Sequence, residues 1–213
     1  MLKVDISSLR REYANGTLDE SSILKNPFEQ FQKWLAEALE AQLPEPTAAT
    51  LATVDNNHPS CRIILLKSVD LKGFVFFTNY NSRKGRSLVN NPYACLNFYW
   101  AELERQVRIE GITERITAAE SDAYFTSRPV LSRMSAQASP QSEKIKNREQ
   151  LEELFEQSVK AGSSVRPSHW GGIRVVPNYI EFWQGRPSRL HDRVIFERED
   201  IAQQDWQIAR LAP

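Results

Sequence analysis

The sequence predicts an α+β protein that is mainly β: a Greek-key antiparallel barrel with a smaller helical lobe. Short runs rich in β-branched and aromatic residues, separated by turn signals, fill residues 47–116. Helical signals return between about 117 and 162, and strand-like runs resume over 172–211. Because strands from both ends of the chain must pair to close a barrel, we expect the helices between them to form a lobe against it.

The chain of 213 residues is expected to form one domain, 26–213, preceded by an arm. Residues 1–25 show neither helical nor strand periodicity and include the polar residues Ser7, Ser8 and Arg11, so they predict a mobile arm that can close over a site. With 41% apolar residues and only 8 glycines, the remainder can bury a sizeable core.

The most regular helical signal follows the arm. Asn26 suits an N-cap, Pro27 the first helical position, and Glu29 the first turn. One apolar stripe then continues along the predicted helix. Its members are Phe28, Phe31, Leu35, Ala38 and Leu39.

Five short runs then predict strands. They span residues 50–54, 62–69, 74–78, 94–100 and 106–112. The turn signals at 55–59 and 70–73 suit hairpins.

Three further helices are expected. Ser82 can cap a short helix that ends near Asn90. Thr117 with Glu120 forms a capping box for a helix to about residue 127. A last helix is expected from about 142 to 160, before Gly162.

Composition excludes several classes of function. The 27 Lys and Arg residues balance 27 Asp and Glu residues, so no overall field attracts nucleic acid or an anionic membrane. No apolar run approaches the roughly 18 residues that span a bilayer, and the start of the chain does not resemble a signal peptide. Cys61 and Cys95 lie in apolar runs, which suggests a reduced, cytoplasmic setting.

Several kinds of catalytic site lack their parts. The three histidines and two cysteines show no metal-ligand spacing, and the chain has no P-loop, G-x-S-x-G elbow or dinucleotide glycine motif. If the protein is an enzyme, a cofactor must therefore supply the reactive group. An organic cofactor that carries a phosphate would suit the local cations.

Those cations cluster between residues 62 and 86, where six cations accompany one acid, Asp70. Ser82, Arg83 and Lys84 stand at a predicted helix start, where cations oppose the helix dipole unless an anion binds there. A solvated helix start with two snorkelling side chains is an equally good interpretation of these residues alone. Arg62 and Lys67 lie on opposite faces of their strand unless a bulge intervenes, and can serve two different ligands or simply end the strand.

A second constellation lies near the end of the chain. If residues 189–193 are extended, Arg189, His191 and Arg193 share one face and suit an anionic aromatic ligand; a wet barrel rim is the alternative. Arg128, with Tyr124 one turn earlier, offers one more guanidinium.

Ten blocks of sequence, in order, resemble the pyridoxine/pyridoxamine 5'-phosphate oxidase family of vitamin B6 metabolism, over nearly the whole chain. They are Leu9-Arg10-Arg11-Glu12-Tyr13, Arg62-Ile63-Ile64-Leu65-Leu66-Lys67, Phe77-Thr78-Asn79, Ser82-Arg83-Lys84, Glu104-Arg105-Gln106-Val107, Ser127-Arg128-Pro129, His169-Trp170-Gly171-Gly172, Glu181-Phe182-Trp183-Gln184-Gly185, Arg189-Leu190-His191-Asp192-Arg193 and Arg210-Leu211-Ala212-Pro213.

The resemblance implies an FMN-binding split barrel and a homodimer with FMN in two interface clefts. The residues it assigns to FMN are Arg62, Ile63, Ile64, Leu65, Leu66, Lys67, Phe77, Thr78, Arg83, Lys84, Gln106, Gln141, Ser142, Trp183 and Arg193. Those it assigns to the substrate are Lys67, Tyr124, Arg128 and Ser132 for the phosphate, and Arg189, Leu190 and His191 for the ring side. Arg189 and His191 are the implied catalytic residues, and Arg10 with Tyr13 the implied closing lid.

The chain departs from the family pattern over 132–139. Where the family usually has Ser-Gln-Ile-Gly-Ala-Trp-x-Ser, this chain has Ser132-Arg133-Met134-Ser135-Ala136-Gln137-Ala138-Ser139. The loss of a glycine and a tryptophan removes backbone freedom and one aromatic wall. Ser132 is therefore the least secure of the implied contacts, and Arg133 can add or replace an anion contact.

The implied reaction is oxidation of pyridoxamine 5'-phosphate and pyridoxine 5'-phosphate to pyridoxal 5'-phosphate, with O₂ reduced to H₂O₂. Three alternatives stay open: another split-barrel oxidoreductase of the flavin reductase or deazaflavin type, a non-catalytic pyridoxal phosphate or FMN binder, and a nucleic-acid-binding barrel, which zero net charge disfavours.

Overall fold

The computed structural model of the chain describes residues 12–162 and 165–213. Its five helices are α1 (Pro27–Glu40), α2 (Arg83–Asn90), α3 (Ala118–Ser127), α4 (Val130–Ala138) and α5 (Arg148–Ala161). Its nine strands are β1 (Ala48–Asp55), β2 (His58–Leu65), β3 (Ser68–Asp70), β4 (Gly73–Asn79), β5 (Tyr93–Trp100), β6 (Arg105–Arg115), β7 (Trp170–Gln184), β8 (Asp192–Glu197) and β9 (Gln207–Arg210).

All strands pair antiparallel in one sheet, in the order β2-β1-β5-β6-β7-β4-β3, with β8 beside β7 and β9 beside β8. The expected pairing of early with late strands is confirmed, because the first part of β7 pairs with β4. The two ends of the path, β2 and β3, are consecutive in the chain. At their junction Leu66 N–H donates to Thr47 O and Lys67 N–H to Val75 O, which curls the sheet into a barrel.

The core lies inside this barrel and under α1. Asn26 caps α1 through its side-chain oxygen, which accepts from Phe28 N–H and Glu29 N–H, as predicted. Phe31 is fully buried and packs edge-on against Phe74 and Phe98, with ring centroids 5.0 Å apart in both pairs.

The predicted apolar stripe of α1 is wrong at one end. Leu39 is 56% exposed, whereas Trp34 is buried in the core. The buried face follows Phe31, Trp34 and Ala38 at helical spacing, and Leu39 lies one position around the helix from it.

Two element boundaries also differ from expectation. The single strand expected at 62–69 is divided into β2 and β3, because the chain changes partner from β1 to β4 at Lys67. The helix expected from 142 begins at Arg148, with Asn147 as its cap, and the unpredicted α4 precedes it. Ser142, with φ of 75°, breaks the helix that the sequence predicts through it.

The described part of the N-terminal arm packs along the barrel. Leu18 and Ile23 are buried in the core, and Arg210 donates to Leu18 O and to the carboxylate of Glu20. This part of the predicted arm therefore contacts the barrel through Leu18, Glu20 and Ile23, and its mobility stays a prediction. Arg10 lies outside the described residues. No helix of the described ranges has the length and apolar character needed to cross a bilayer.

Candidate functional site

A cleft of about 420 Å³ opens between the barrel and the helical lobe. It is lined by Ile63, Ile64, Leu65, Lys67, Phe77, Thr78, Asn79, Lys84, Tyr124, Arg128, Ser135, Ala136, Ser139, Gln141 and Trp170. The strands β2 and β4 form its floor, the start of α2 forms one wall, and α3 and α4 form the other.

Lys84 lies on the wall of the cleft that the start of α2 forms. Ser82 caps α2 by accepting from Gly85 N–H, as predicted, and this fixes Lys84 in the first turn. Lys84 Nζ then donates to Thr78 Oγ1 at 3.1 Å and to Gln141 Oε1 at 3.0 Å. All its partners are neutral oxygens, so the charge of Lys84 remains uncompensated.

Neighbouring cations reinforce this positive site. Burial, and then the charge of Arg62, lower the pKa of Lys84. Burial lowers the pKa of Arg62 as well, with a further contribution from Arg83. The Arg62 guanidinium donates to Leu51 O and to the hydroxyls of Thr53 and Ser60. In the described ranges no carboxylate lies within ion-pair distance of Arg62 or Lys84, so an anion would stabilise both.

The opposite wall is aromatic. Phe77 stacks on Tyr124 with ring centroids 3.8 Å apart and on Trp170 at 5.4 Å. The Arg128 guanidinium lies over the Trp170 ring, 4.7 Å from its centroid. Burial lowers the pKa of Arg128 and raises that of Tyr124, so the phenol stays neutral and can donate a hydrogen bond. Arg128 Nη1 is buried with no hydrogen-bond partner among the described residues.

A second group of predicted residues lies at the far end of β7, and we call Tyr13, Trp183 and His191 the aromatic corner. The Tyr13 ring meets Trp183 edge-on at 5.7 Å and His191 at 5.6 Å, and Trp183 lies 4.7 Å from His191. Arg186 N–H donates to His191 Nδ1 at 3.1 Å, which places the proton of a neutral ring on Nε2.

Two cations near the aromatic corner, Arg193 and Arg210, have acidic partners. Arg193 lies across from Trp183 in β8 and binds both oxygens of the buried Glu181 carboxylate, at 2.7 and 3.1 Å. Burial alone would raise the pKa of Glu181, but Arg193 and Arg108 lower it overall. Asp192 likewise accepts from Arg210 at 2.8 Å.

Residues 189–193 are not extended throughout, so the condition for a shared face of Arg189, His191 and Arg193 is not met. Pro187–Arg189 form a single 3₁₀ turn, and Ser188 and Arg189 have φ values of 56° and 61°. The strand begins only at Asp192, so Arg189, His191 and Arg193 do not share a strand face. A proline followed by left-handed backbone produces this turn.

The structure thus brings the predicted site residues into two groups. Those lining the cleft are Ile63, Ile64, Leu65, Lys67, Phe77, Thr78, Lys84, Gln141, Tyr124 and Arg128. The second group belongs to the aromatic corner or lies beside it, through a ring contact, strand pairing or adjacency in sequence. Its members are Tyr13, Gln106, Trp183, Arg189, Leu190, His191 and Arg193. Arg62, Leu66, Arg83, Ser132 and Ser142 are neighbours in sequence of cleft residues without lining the cleft.

The two groups are far apart within one chain. Phe77 pairs with Gly172 and Gln106 with Trp183, so eleven residues of β7 separate the two ends. At 3.3 Å per residue this is a strand length of about 36 Å. The cleft and the aromatic corner therefore lie at opposite ends of β7 within one chain.

The sequence interpretation missed five lining residues, Asn79, Ser135, Ala136, Ser139 and Trp170, as parts of a binding site. Asn79 and Trp170 belong to blocks that carry the family resemblance but had no assigned role. The other three lie on or just after α4, which was not predicted. Their signal was the spacing of 135, 136 and 139 on one helical face.

The fold and the cleft define a split-barrel protein with a cationic, aromatic-walled ligand site. Residues 35–159 match the family model for pyridoxamine 5'-phosphate oxidase, and residues 170–213 match the C-terminal dimerisation region of pyridoxine 5'-phosphate oxidase. The chain belongs to the pyridoxine/pyridoxamine 5'-phosphate oxidase family, which confirms the predicted resemblance and fold class and supports an oxidase activity.

Individual relatives support the same family assignment. The chain is 57% identical to the pyridoxine/pyridoxamine 5'-phosphate oxidase of Paraburkholderia phytofirmans, over 98% of this chain and 99% of the relative. It is 56% identical to that of Burkholderia thailandensis, with the same coverage. Among solved structures, PhzG from Burkholderia lata, in complex with tetrahydrophenazine-1-carboxylic acid, is 32% identical with a TM-score of 0.86, covering 92% of this chain and 98% of PhzG.

A more distant structure supports the fold alone. It is a pyridoxamine 5'-phosphate oxidase-related, FMN-binding protein from Nostoc punctiforme, 21% identical with a TM-score of 0.72, covering 86% of this chain and 97% of that protein.

Proposed function

We propose that this protein is an FMN-dependent oxidase that converts pyridoxamine 5'-phosphate and pyridoxine 5'-phosphate to pyridoxal 5'-phosphate. The observation that carries the proposal is a set of half-buried cations with no acidic partner among the described residues: Lys84 and Arg128 line an aromatic-walled cleft, and Arg62 lies beside it. Buried charges of one sign call for a bound ligand of the opposite sign.

The residues at the start of α2 fit the phosphate of FMN. Lys84 and Arg62 supply charge, and Thr78 Oγ1 and Gln141 already lie within hydrogen-bond distance of Lys84 Nζ. Four to six charge-assisted hydrogen bonds at about 1.5 to 3 kcal/mol each give roughly 6 to 18 kcal/mol. Association costs of about 4 to 15 kcal/mol offset much of this, so contacts to the flavin ring must contribute to tight binding.

A second anion site supports a phosphorylated substrate. Lys67, Tyr124 and Arg128 line the cleft together, and Arg128 Nη1 is the buried donor without a partner. A substrate phosphate bound there would satisfy it, with Ser132 at the start of α4 as the remaining expected contact.

The overall reaction consumes O₂ and, for the amine, water. Pyridoxamine 5'-phosphate, water and O₂ give pyridoxal 5'-phosphate, ammonia and H₂O₂; the alcohol substrate needs no water. When bound, FMN would supply, at N5, the two-electron acceptor for the hydride that leaves the substrate C4' carbon, and O₂ would be the final oxidant. The chain's own task is orientation: Arg189 covers the substrate ring, His191 Nε2 donates to its polar edge, and Lys67 and Arg128 hold its phosphate.

A homodimer would unite the two groups of residues. The aromatic corner lies at the end of β7, in the region that matches the dimerisation model, residues 170–213. The outer face of the sheet exposes Ile63, Tyr93 and Tyr99, each more than half accessible. A second copy covering this face would bring its own Gln106, Trp183, Arg189, His191 and Arg193 to the cleft, with FMN at the interface.

The alternatives differ in what they predict for the same protein. A flavin-binding protein without oxidase activity keeps the flavin and consumes no O₂. A relative that acts on tricyclic carboxylates, the class of ligand bound by PhzG, would not need the second phosphate site at Lys67 and Arg128. The high identity to the oxidases and that second site favour the phosphorylated vitamers.

The test combines a spectrum with an oxygen electrode. We expect the purified protein to carry FMN after gel filtration and to consume O₂ with pyridoxamine 5'-phosphate but not with pyridoxamine. A protein that stays colourless after reconstitution with FMN contradicts the cofactor. A yellow protein that is inactive with both phosphorylated vitamers contradicts the reaction.

A further inference from the structure

Glu104 lies beside the aromatic corner in an unusual setting. It ends the short turn Ala101–Leu103 in left-handed backbone, with φ of 55° and ψ of 39°, and is only 3% exposed. A side chain other than glycine in this conformation is strained and persists only where its surroundings hold it. Its backbone oxygen accepts from Gly185 N–H at 2.8 Å, so the residue is fixed to the end of β7, two positions beyond Trp183.

The buried carboxylate of Glu104 points to the N-terminal arm. Its Oε2 accepts from Ala14 N–H at 2.7 Å and from Asn15 N–H at 2.9 Å. These are the two residues that directly follow Tyr13, whose ring contacts Trp183 and His191. Two charge-assisted hydrogen bonds to one oxygen fix the direction in which the chain leaves Tyr13.

Gly185 completes this arrangement from the other side. A Cβ atom at position 185 would lie 2.8 Å from Cβ, Cγ and Cδ1 of Tyr13. The ring of Tyr13 therefore packs directly against backbone at the end of β7, and its position is set by Gly185 beneath it and by Glu104 behind it.

We propose that Glu104 is a positioning residue that latches the arm so that Tyr13 closes the substrate-ring site beside His191. The inference rests on the proposed function, in which His191 and Arg189 hold the substrate ring. Opening the arm would require breaking both hydrogen bonds to the buried carboxylate, so Glu104 sets how much of the protein has Tyr13 in place before substrate binds.

The first test measures the arm itself. In protein stripped of FMN, hydrogen exchange of the Ala14 and Asn15 amides is compared in wild type, Glu104→Ala, Glu104→Gln and the control Glu102→Ala. We expect Glu104→Ala to lose protection at both amides. Glu104→Gln should retain it, because a single amide oxygen can accept both bonds, and Glu102→Ala should too, because only the backbone oxygen of Glu102 contacts the arm. Unchanged protection in Glu104→Ala overturns the proposal.

The second test is a double-mutant cycle on the FMN-loaded enzyme. Glu104→Ala and Tyr13→Ala should each lower kcat/KM for pyridoxamine 5'-phosphate by about 10- to 100-fold, the usual cost of a misplaced site group. The double variant should lose no more than Tyr13→Ala alone, with FMN content unchanged. Fully additive losses would mean that Glu104 acts on the fold and not through Tyr13.

Gly185→Ala keeps the proposal testable if Glu104→Ala does not fold. It displaces the Tyr13 ring while leaving the carboxylate in place, and should lower kcat/KM to the level of Tyr13→Ala; wild-type kcat/KM in this variant overturns the proposal. A wild-type enzyme inactive with both vitamers refutes the proposed function, while the hydrogen-exchange result still decides the latch.

Discussion

The cleft and the aromatic corner both contain arginines and aromatic rings, but they treat charge in opposite ways. Among the described residues, Lys84 in the cleft and Arg62 beside it donate only to neutral oxygens, and Arg128 has a buried donor without a partner. At the corner, Arg193 and Arg210 bind carboxylates. Both regions are built on strands of one sheet, so the difference lies in the side chains and not in the fold.

This contrast separates two tasks. Half-buried cations without acidic partners lower the stability of the empty protein and gain from an anionic ligand, which suits a phosphate site. A cation that already binds a carboxylate, such as Arg193 on Glu181, has less to gain from a phosphate and instead joins two paired strands. The cleft therefore binds the phosphates in the proposed function, whereas the corner shapes the site around the substrate ring.

The largest expected effect comes from removing the carboxylate of Glu181, which binds both Arg193 and Arg108. Glu181→Ala leaves Arg108 and Arg193 without their shared carboxylate and should lower the free energy of unfolding by about 3 kcal/mol. Because the folded-state pKa of Glu181 is lowered, its contribution is present above the ordinary carboxyl pKa and is lost as pH falls through the folded value. Urea unfolding at pH 7 and at lower pH checks both statements, and exposed Glu197→Ala is the control. An unfolding free energy equal to that of the control would show that the pairing carries no stability.

The next effect concerns the cleft. Lys84→Ala removes the central cation and should weaken FMN binding by about 10- to 100-fold, the value of one or two hydrogen bonds to a charged group. Fluorescence titration of FMN measures it, and Lys33→Ala, an exposed lysine on α1, is the matched control. If Lys84→Ala binds FMN like wild type, the unpaired cation does not contribute to cofactor binding, and the contrast between the cleft and the aromatic corner is wrong.

Arg128 should separate substrate from cofactor. Arg128→Met removes the buried unpaired donor and should raise KM for pyridoxamine 5'-phosphate by about tenfold while the FMN dissociation constant stays unchanged. Arg128→Lys keeps the charge but not the planar fork, and should recover only part of the loss. Steady-state kinetics with saturating FMN give both values, and a parallel loss of FMN would place Arg128 at the cofactor instead.

The smallest effect lies in the arm. The hydrogen bond from Arg210, first among several causes, lowers the pKa of Glu20 from 4.5 to about 2. The stabilisation by Glu20 is therefore fully present above pH 4.5 and is lost as pH falls toward 2. Wild type should unfold at slightly higher denaturant than Glu20→Gln at pH 7, and the difference should vanish near pH 2. A pH-independent difference would contradict the ion pair.

The sequence predicted the elements whose signals are local. Asn26, Ser82 and the Thr117 capping box each mark a helix start that the structure contains. The division of residues 62–69 into two strands was not predictable, because it depends on a change of partner strand at Lys67 that leaves no periodic trace. The turn at Ser188 and Arg189 could not be predicted from a pattern of alternating residues, because it depends on left-handed backbone at two residues that are not glycine.

Within the site, the density of cations between residues 62 and 86 pointed to the region of the cleft, although only Lys67 and Lys84 of the six line it. The acidic partners of the corner arginines could not be predicted, because each ion pair joins two neighbouring strands. Glu181 in β7 binds Arg193 in β8, and Asp192 in β8 binds Arg210 in β9. The role of Glu104 was equally hidden, since its partners lie 89 and 90 residues away in sequence.

The central claim is that the cleft of one chain and the aromatic corner of another form a single site, and mixed dimers test it most directly. Lys84→Ala damages only the cleft and Arg189→Met only the corner, so at an FMN concentration that fills the wild-type site but not the Lys84→Ala site, each homodimer should be nearly inactive. After subunits are mixed in equal amounts, half of the dimers are hybrids with one native site, and we expect about a quarter of wild-type activity. No recovery of activity, in a mixture shown to contain hybrid dimers, would contradict the claim.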